Sequence, residues 1–483
     1  MRLGELVEGL PLAGDAPPEL EVRGIQHDSR RVEPGDLFVA LVGERFDGRA
    51  FVLQAAERGA VAVVAPGPPP AATPLPWLSC DQPRAVLGPL AARVFAHPDR
   101  EMTMVGVTGT NGKSTTVWIV QALLEAAGRP CGRIGTLAYR FADLDLPAGR
   151  TTPEASDLFR LLRRMRERGA AAVAMEVSSH ALTMGRVAGV AFDVAAFTNL
   201  TQDHLDFHRT MEEYFAAKQR LFGHLEADGT AVVNVDDAFG RRLAAELPRV
   251  VTCGRDGMVR VEEAQLSAEG TRATFATPRG RLQVQSRLLG SFNLDNLLLA
   301  VGVAEALELP HAAIGDGLAA VEPVPGRLEP VDRGQPFAVF VDYAHSEDAL
   351  AHALAAVREL VDGRVAVVFG CGGDRDPGKR FPMGRVAGER ADLVIVTSDN
   401  PRSEDPQAIL GAIEEGVKAS GNGNYRLIPD RRDAIRRALA IAEPGWAVLV
   451  AGKGNESGQE IAGQVFPFSD REEIAAALEG IHG

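Results

Sequence analysis

The octet Thr108-Gly109-Thr110-Asn111-Gly112-Lys113-Ser114-Thr115 carries the plainest chemistry in this sequence. Met104-Val105-Gly106-Val107 before it reads as a buried strand, and Val117 to Leu124 after it reads as a helix. A glycine-rich turn between strand and helix, ending in Gly-Lys-Ser, is a phosphate cradle. Backbone N–H groups and the helix dipole face the anion, the lysine reaches the outer phosphates, and the hydroxyl can take up Mg²⁺. The usual spacing is G-x-x-x-x-G-K-[ST]. Here Val107 stands five positions before Gly112, with glycines at 106 and 109 instead. Gly109, Thr110, Asn111, Gly112, Lys113, Ser114 and Thr115 are therefore the candidate binders of a nucleoside triphosphate.

Three further residues have chemistry that would serve a bound phosphate. Glu176 lies near the end of the apolar run Ala171 to Val177, and His204 lies just beyond the run Val194 to Thr198. An acid at a buried strand end and a histidine beyond a neighbouring strand are where ligands for a nucleotide-bound metal stand. Taken singly, the same pair reads equally well as a capping acid and a surface histidine. Lys218 falls on the apolar stripe 211, 214, 215, 221 and 222 of a helical pattern from Met211 to Phe222. Such a lysine usually snorkels to water. A partly buried one with a lowered pKa can instead react with CO₂, giving an anionic carbamate that offers oxygen ligands to Mg²⁺.

Lysine is scarce throughout the chain. Only Lys113, Lys218, Lys379, Lys418 and Lys453 occur among 51 basic residues. A retained lysine thus marks a place where a compact ammonium or a deprotonatable amine is needed; Lys418, in a plain polar stretch, needs no such reason. Asn293 and Asn296 precede the apolar helical run Leu297 to Leu307, where they would cap the helix or contact a base. In the last third, four apolar strand patterns run into polar turns. These turns are Asp342-Tyr343-Ala344-His345, Gly370 to Arg380, Asp399-Asn400-Pro401-Arg402, and Gly452-Lys453-Gly454-Asn455-Glu456. In a parallel sheet they share one edge, facing the phosphate loop across a cleft.

The elements needed to position these residues imply an α/β protein of three domains. Residues 1–99 read as a small α/β domain with short strands at Asp36 to Leu41 and Ala60 to Ala65. Residues 100–328 read as a doubly wound, mostly parallel sheet around the phosphate loop, and residues 329–483 as a Rossmann-like α/β domain. Composition is that of a globular protein, 46% hydrophobic and 24% charged. A net charge of −14 argues against a dedicated nucleic-acid binder. The four cysteines are widely spaced, with no C-x-x-C pair for zinc. No secretory pattern and no 18-residue apolar run are present, so the expectation is a cytoplasmic protein without membrane insertion.

Taken together these motifs resemble the Mur ligase family, the ATP-dependent amide-bond ligases of peptidoglycan assembly, over essentially the whole chain. The resemblance rests on the octet, whose spacing is the family's own, and on Glu176-Val177-Ser178-Ser179-His180, Asp203-His204-Leu205-Asp206 and Lys218. It rests also on Phe292-Asn293-x-x-Asn296, Gly326-Arg327, Asp342 to His345 and Gly372-Gly373-Asp374-Arg375-Asp376. Asp399-Asn400-Pro401-Arg402 is similar to the recognition motif of the branch that adds meso-diaminopimelate to UDP-N-acetylmuramoyl-L-alanyl-D-glutamate.

The resemblance implies a substrate carboxylate phosphorylated by ATP and then attacked by an amine. It makes Glu176 and His204 magnesium ligands alongside Ser114, and carbamoylated Lys218 the holder of a second ion, with Lys113 completing the catalytic set. Asn293 and Asn296 would approach adenine, Arg327 the phosphates, and Asp342 and His345 the ribose side. Thr151, Thr152, Ser178 and Arg186 would bind the nucleotide-sugar peptide, and Ser29, Glu44, Arg45 and Phe46 its uridine end. Arg402, Asp399, Asn400, Pro401, Arg375, Gly452 and Glu456 would form the diaminopimelate pocket.

Several positions depart from the family pattern: Glu44 for a common His, Arg150 for Asn, Glu347 for Pro, and Asn455 and Gly458 for His and Tyr. The competing readings are a lysine-adding ligase of the same mechanism, a folylpolyglutamate synthetase, and a non-catalytic nucleotide-binding relative. Lysine-adding relatives generally lack the arginine of Asp399-Asn400-Pro401-Arg402, and the N-terminal domain speaks against folate chemistry. A monomer that closes its domains around substrate is expected.

Overall fold

The structure, a computed structural model, describes residues 1–43, 47–70, 73–267 and 269–481. The first sheet has four parallel strands in sequence order, Gly24–Gln26, Asp36–Val39, Ala62–Ala65 and Trp77–Ser79. Three of these strands are buried along their whole length, as short apolar runs flanked by turns should be. One face of this sheet merges with the next core: a single apolar cluster runs from Leu3 through Leu87 and Leu90 to Leu158, Phe159 and Leu243.

The central sheet has eight strands. In spatial order they are Val250–Cys253, Leu225–Asn234, Phe192–Phe197, Thr103–Thr108, Ala172–Glu176, Cys131–Ile134, Ala138–Phe141 and Leu144–Pro147. The first six are parallel and the last two form an antiparallel edge. Thr103–Thr108 sits in the middle, with Phe197 beside Thr108 and Glu176 beside Val107. Its own connection, the helix Lys113–Ala126, packs on one face. The segments that follow the two neighbouring strands pack on the other, through Leu182, Tyr214 and Phe215. That divergence opens a crevice at the carboxyl ends, where doubly wound sheets bind ligands.

The parallel reading of residues 100–328 was incomplete. Arg260–Ser267, Gly270–Thr277 and Gly280–Ser286 form an antiparallel three-stranded meander joined by tight turns. Its inner face, with Phe275, Leu282 and Val284, packs beside the helices Ser291–Ala306 and His311–Ala320. The helix expected from Met211 to Phe222 ends earlier. Met211–Gln219 is α-helical, started by Thr210 Oγ1 accepting from Glu213 N, and Arg220–His224 tightens to a 3₁₀ turn. A cap of this kind contributes about 1 kcal/mol.

The last sheet has six strands: Glu329–Pro330 at one antiparallel edge, then Ala338–Asp342, Ala447–Ala451, Val365–Phe369, Leu393–Val396 and Tyr425–Leu427, all parallel. Asp342, Gly370, Thr397 and Gly452 consequently stand along one edge, and the four polar turns leave from it. Helices cover both faces with separate apolar clusters. Among the described residues no helix is long and apolar enough to cross a membrane.

Candidate active site

The phosphate loop is held open by its own backbone and by the neighbouring strand end. Gly112 adopts φ +85° as the residue before the helix, and a Cβ there would lie 2.3 Å from Asn296 Oδ1. Gly109, at φ +148°, would drive a Cβ to 1.8 Å from Thr198 Oγ1. Both positions demand glycine. Thr198 Oγ1 donates to Asn111 O at 2.6 Å, Asn111 N donates to Asn199 Oδ1 at 2.9 Å, and Thr110 N to Asn199 O at 2.9 Å. Thr110 Oγ1 reaches Thr201 O and the Tyr214 hydroxyl, each at 3.2 Å. Ser114 and Thr115 are buried in the first helical turn. Lys113 folds back, its Nζ donating to Gly109 O at 3.0 Å and Thr110 O at 2.8 Å.

A second ammonium meets the first. Lys218 is 1% exposed, and its Nζ donates to the same Gly109 carbonyl at 2.6 Å while lying 4.3 Å from the Tyr214 ring centre. It makes no ion pair among the described residues. Burial, and then the neighbouring Lys113 charge, push its pKa well below the usual lysine range, against a weaker pull from Asp203. Lys113 is lowered too, by burial first, with Glu176 and Asp203 opposing. Two cations sharing one carbonyl are a loop arranged for an anion.

His204 takes a left-handed conformation, φ +54°, and its Nε2 lies 3.5 Å from Asp203 Oδ2. Its ring stands 4.8 Å from His180, which stacks on Phe207 at 4.1 Å. Burial first, helped by the two lysines and opposed by Asp203, lowers its pKa below the ordinary histidine value, which favours the neutral imidazole that can ligate a metal.

Glu176 is 2% exposed and is fixed by a turn that sequence reading missed. Thr136 N donates to its Oε1 at 2.8 Å and Thr136 Oγ1 to its Oε2 at 3.2 Å. Thr136 Oγ1 is also 3.1 Å from Thr151 Oγ1, and Thr152 Oγ1 donates to Glu176 O at 2.9 Å while accepting from Ser178 N. Ser178 Oγ in turn caps its helix at Ala181 N. Arg186 is buried against Glu154, with Nε donating to Oε1 at 2.9 Å, and Arg84 reaches the other carboxylate oxygen. Thr151, Thr152, Ser178 and Arg186 thus form one continuous wall behind Glu176.

Among the described residues no three His, Cys, Asp or Glu side chains converge to hold an ion by themselves. The donor set nonetheless fits Mg²⁺ carried on a phosphate, which takes one or two protein oxygens and keeps water. Glu176 supplies a carboxylate and Ser114 a hydroxyl at the loop. Thr108 Oγ1, at the end of the loop strand, is buried without a hydrogen-bond partner.

Asn293 and Asn296 are buried, and their amides are already engaged. Asn293 Nδ2 donates to Leu289 O at 2.8 Å, and Asn296 Nδ2 to Asn293 Oδ1 at 3.0 Å. With Asn296 Oδ1 against Gly112 and 3.4 Å from Thr116 Oγ1, the pair braces the phosphate loop. This bracing is compatible with the expected approach to a base, since each amide nitrogen donates one of its two protons in these bonds.

The C-terminal domain meets the loop directly, through a helix. Asn111 Nδ2 donates to Asp348 Oδ2 at 3.0 Å from the helix Glu347–Leu360. Asp342 accepts from Leu328 N at 2.7 Å and Ala344 N at 2.8 Å, and burial raises its pKa against the pull of Arg327. The Arg327 guanidinium lies 4.6 Å from the Tyr343 ring centre. His345 Nδ1 donates to Tyr343 O at 2.9 Å, while Lys379 Nζ donates to His345 O at 2.8 Å.

At the remaining turns Asn400 is the hub. Its Nδ2 donates to Glu456 Oε2 at 2.9 Å, and its Oδ1 accepts from Lys453 Nζ at 3.0 Å and Glu460 N at 3.0 Å. Lys453, fully buried, also donates to Glu456 Oε2 at 2.9 Å. Gly452 needs its φ of +115°, since a Cβ there would meet Asp399 Oδ2 at 2.7 Å. Arg402, at φ +52° after Pro401, donates from Nη1 to Gly373 O at 2.7 Å and from Nε to Glu460 Oε2 at 3.1 Å. Arg375 is exposed, and among the described residues its guanidinium bonds only Asp374 O, at 3.2 Å. Behind the turns, Arg431 and Asp470 form a buried two-pronged pair that also ties Ala451 O.

Ser29, the uridine-end candidate, is buried and donates to Gln54 Oε1 at 2.6 Å, close to where His27 Nδ1 meets Ser156 Oγ at 2.8 Å. Glu44, Arg45 and Phe46 lie outside the described residues. Thr136, Asp348 and Glu460 belong to the site by contact but carry no signal of their own in sequence; Lys453 is marked there by the scarcity of lysine, and Tyr214 only as a member of an apolar stripe.

Comparison with known proteins agrees with this architecture. The Mur ligase middle domain matches residues 107–304, the Mur ligase glutamate ligase domain residues 326–454, and the Mur ligase family catalytic domain residues 21–94. The UDP-N-acetylmuramoyl-L-alanyl-D-glutamate–2,6-diaminopimelate ligase of Streptomyces coelicolor is 48% identical over 495 residues, covering 100% of this chain and 97% of that protein. A solved structure of a ligase with the same name superposes with a TM-score of 0.71 at 32% identity, covering 100% of this chain and 99% of the other. A MurF ligase from Thermotoga maritima, solved in complex with ADP, shares the fold at 21% identity and a TM-score of 0.66, covering 96% and 98%. The chain belongs to the Mur ligase family.

Proposed function

We propose that this chain is an ATP-dependent ligase that adds meso-diaminopimelate to UDP-N-acetylmuramoyl-L-alanyl-D-glutamate in peptidoglycan precursor synthesis. The observation that carries this reading is the meeting of Lys113 and Lys218 at the Gly109 carbonyl, opposite a sheet edge that bears Arg402, Asn400 and Glu456. A phosphate cradle facing a carboxylate-gripping arginine suits a reaction between an activated acid and an amino acid. Relatives bearing that enzyme's name at 48% identity support it.

In this reading residues 1–99 hold the uridine end through Ser29 and the 44–46 segment, 100–328 bind ATP, and 329–483 bind the amine. Lys113 and the helix N-terminus draw in the outer phosphates, so that the substrate carboxylate can approach the γ-phosphorus despite like charge. A carboxylate oxygen bonds to that phosphorus as the bond to ADP breaks, giving an acyl phosphate. The diaminopimelate amine attacks the acyl carbon, phosphate leaves, and the amine proton is released. Magnesium, held through Glu176, Ser114 and His204, would supply charge neutralisation on the phosphates.

Lys218, buried and with no counter-ion among the described residues, has its amine pushed toward the neutral form by burial and by Lys113, the form that takes up CO₂ as a carbamate. Its negative charge would then relieve the repulsion from Lys113. Thr151, Thr152, Ser178 and Arg186 line the route of the peptidyl end, and Arg327, Asp342 and His345 that of the ribose and phosphates. The protein acts as a cytoplasmic monomer.

Amine profiling tests the reading: phosphate release with ATP, Mg²⁺, the dipeptide nucleotide and either meso-diaminopimelate or lysine. Release with diaminopimelate is expected. Release with lysine alone would make this a lysine-adding ligase, and release with neither would make it a non-catalytic relative.

A further inference from the structure

We propose that Glu460 is the positioning residue that sets the amine selectivity of this chain, by fixing the Arg402 guanidinium from a hairpin that extends the recognition turn. The inference rests on the reading of Arg402 as the group that grips the second carboxylate of a diamino acid.

The hairpin consists of Gly458–Ile461 paired antiparallel with Gln464–Pro467. Its first strand is bonded to the turn Asp399–Arg402 almost residue by residue. Gln459 Nε2 donates to Asp399 O at 2.8 Å, Glu460 N to Asn400 Oδ1 at 3.0 Å, Arg402 N to Glu460 O at 3.0 Å, and Ala462 N to Arg402 O at 2.7 Å. Arg402 and Ile461 form a bridge, so the turn behaves as a short third strand. These bonds hold Arg402 at a positive φ that an arginine does not adopt unaided.

The side chain is constrained by the same element. Arginine has five N–H groups in a planar fork. Glu460 Oε2 takes the one on Nε and Gly373 O takes one on Nη1, which leaves the second Nη1 proton and both Nη2 protons without a partner among the described residues. With Nε tethered, the guanidinium plane cannot swing, and its free end is aimed before substrate arrives. A carboxylate of diaminopimelate can then be met by two parallel N–H groups, while the side chain of lysine, which has hydrogen in that place, leaves the fork unanswered. A site built around a polar group rejects the analogue that lacks it only if the site cannot relax. Glu460 supplies that rigidity, and nothing in the pairing requires Glu460 to touch the amine itself.

Steady-state kinetics of the full-length enzyme with meso-diaminopimelate and with lysine test this, using the wild type, Glu460→Ala, Glu460→Gln and Arg402→Ala. Glu460→Ala is expected to raise KM for diaminopimelate about tenfold, the scale of one charge-assisted hydrogen bond. The KM for ATP should not move, kcat should hold at saturating amine, and the preference over lysine should fall by a similar factor. Glu460→Gln, which keeps an acceptor for Nε at the same length, should fall between wild type and alanine; it also carries the test if the alanine variant melts early. A preference unchanged in both variants, or a fall in kcat that strikes both amines alike, overturns the proposal. If instead the wild type shows no preference and Arg402→Ala changes nothing, the reading of the pocket fails, and the role of Glu460 falls with it.

Discussion

Lys218 and Lys453 are the same residue, equally buried, at the carboxyl ends of two different sheets, and their surroundings are opposite. Lys453 meets a carboxylate oxygen of Glu456 and the amide oxygen of Asn400. Lys218 meets a carbonyl, the face of Tyr214 and a second lysine. A buried ammonium with an anionic partner is a structural pin. A buried ammonium facing another cation is one whose proton is loosely held. On the proposed function, the difference separates the edge of the cleft that does covalent chemistry from the edge that recognises.

The sharpest way to break this comparison is to remove each amine in turn. Lys218→Ala is expected to lower kcat by roughly 10²- to 10³-fold, as for loss of one preorganised electrostatic contact at a reacting centre. ATP affinity by equilibrium titration should be unchanged. Lys218→Arg should fare no better, because a guanidinium cannot lose its proton to react with CO₂. Normal turnover in either variant would remove Lys218 from the chemistry. Lys453→Met should act mainly on stability and amine binding. It strands Glu456 and Asn400 without their cation, at about 2–3 kcal/mol in urea unfolding, less than a fully buried pair because Glu456 is 35% exposed. KM for the amine should rise while ATP binding stays put.

The smallest effect is one of pH. Lys113 and Lys218 both have folded pKa values below the ordinary 10.5. Between those lowered values and 10.5 the unfolded chain binds more protons than the native one. Stability contributed by these sites therefore rises as pH climbs through that window and is lost as pH falls toward the folded pKa values. Unfolding titrations at about pH 7 and about pH 10 should show a shallower rise for Lys218→Met than for wild type. An unchanged slope would mean that Lys218 keeps its proton in the native state.

How much of this could be read beforehand depended on whether the signal was local. The phosphate loop, the strand Ala338–Asp342 and the strand Ala447–Ala451 lie at the expected residues, because a buried parallel strand ending in a glycine turn is a contiguous pattern. Placing the four C-terminal turns on one edge needed only the assumption of parallel strands. The meander at 260–286 was missed because its strands are half exposed and its turns, such as Thr277 to Gly280, resemble loop sequence. Thr136 and Glu460 were missed for a different reason. Each acts on a partner 40 or 58 residues away, Glu176 and Arg402, through hydrogen bonds that no spacing rule encodes. Asn293 and Asn296 show the converse: a motif marks the residues without revealing that Asn293 Nδ2 is bonded to Leu289 O and Asn296 Nδ2 to Asn293 Oδ1.

The scarcity of lysine has a practical side. Lys218 and Lys453 are buried, Lys113 and Lys379 are half-buried and bonded to backbone carbonyls, and only Lys418 is exposed. It sits in the last turn of the helix Pro406–Ala419, which begins near the recognition turn and runs back from it toward the opposite edge of the sheet. An acylating dye, a biotin ester or an activated sensor surface therefore finds one reactive side-chain amine, far from the cleft. Molecules coupled through it would all present the cleft to solution in the same orientation.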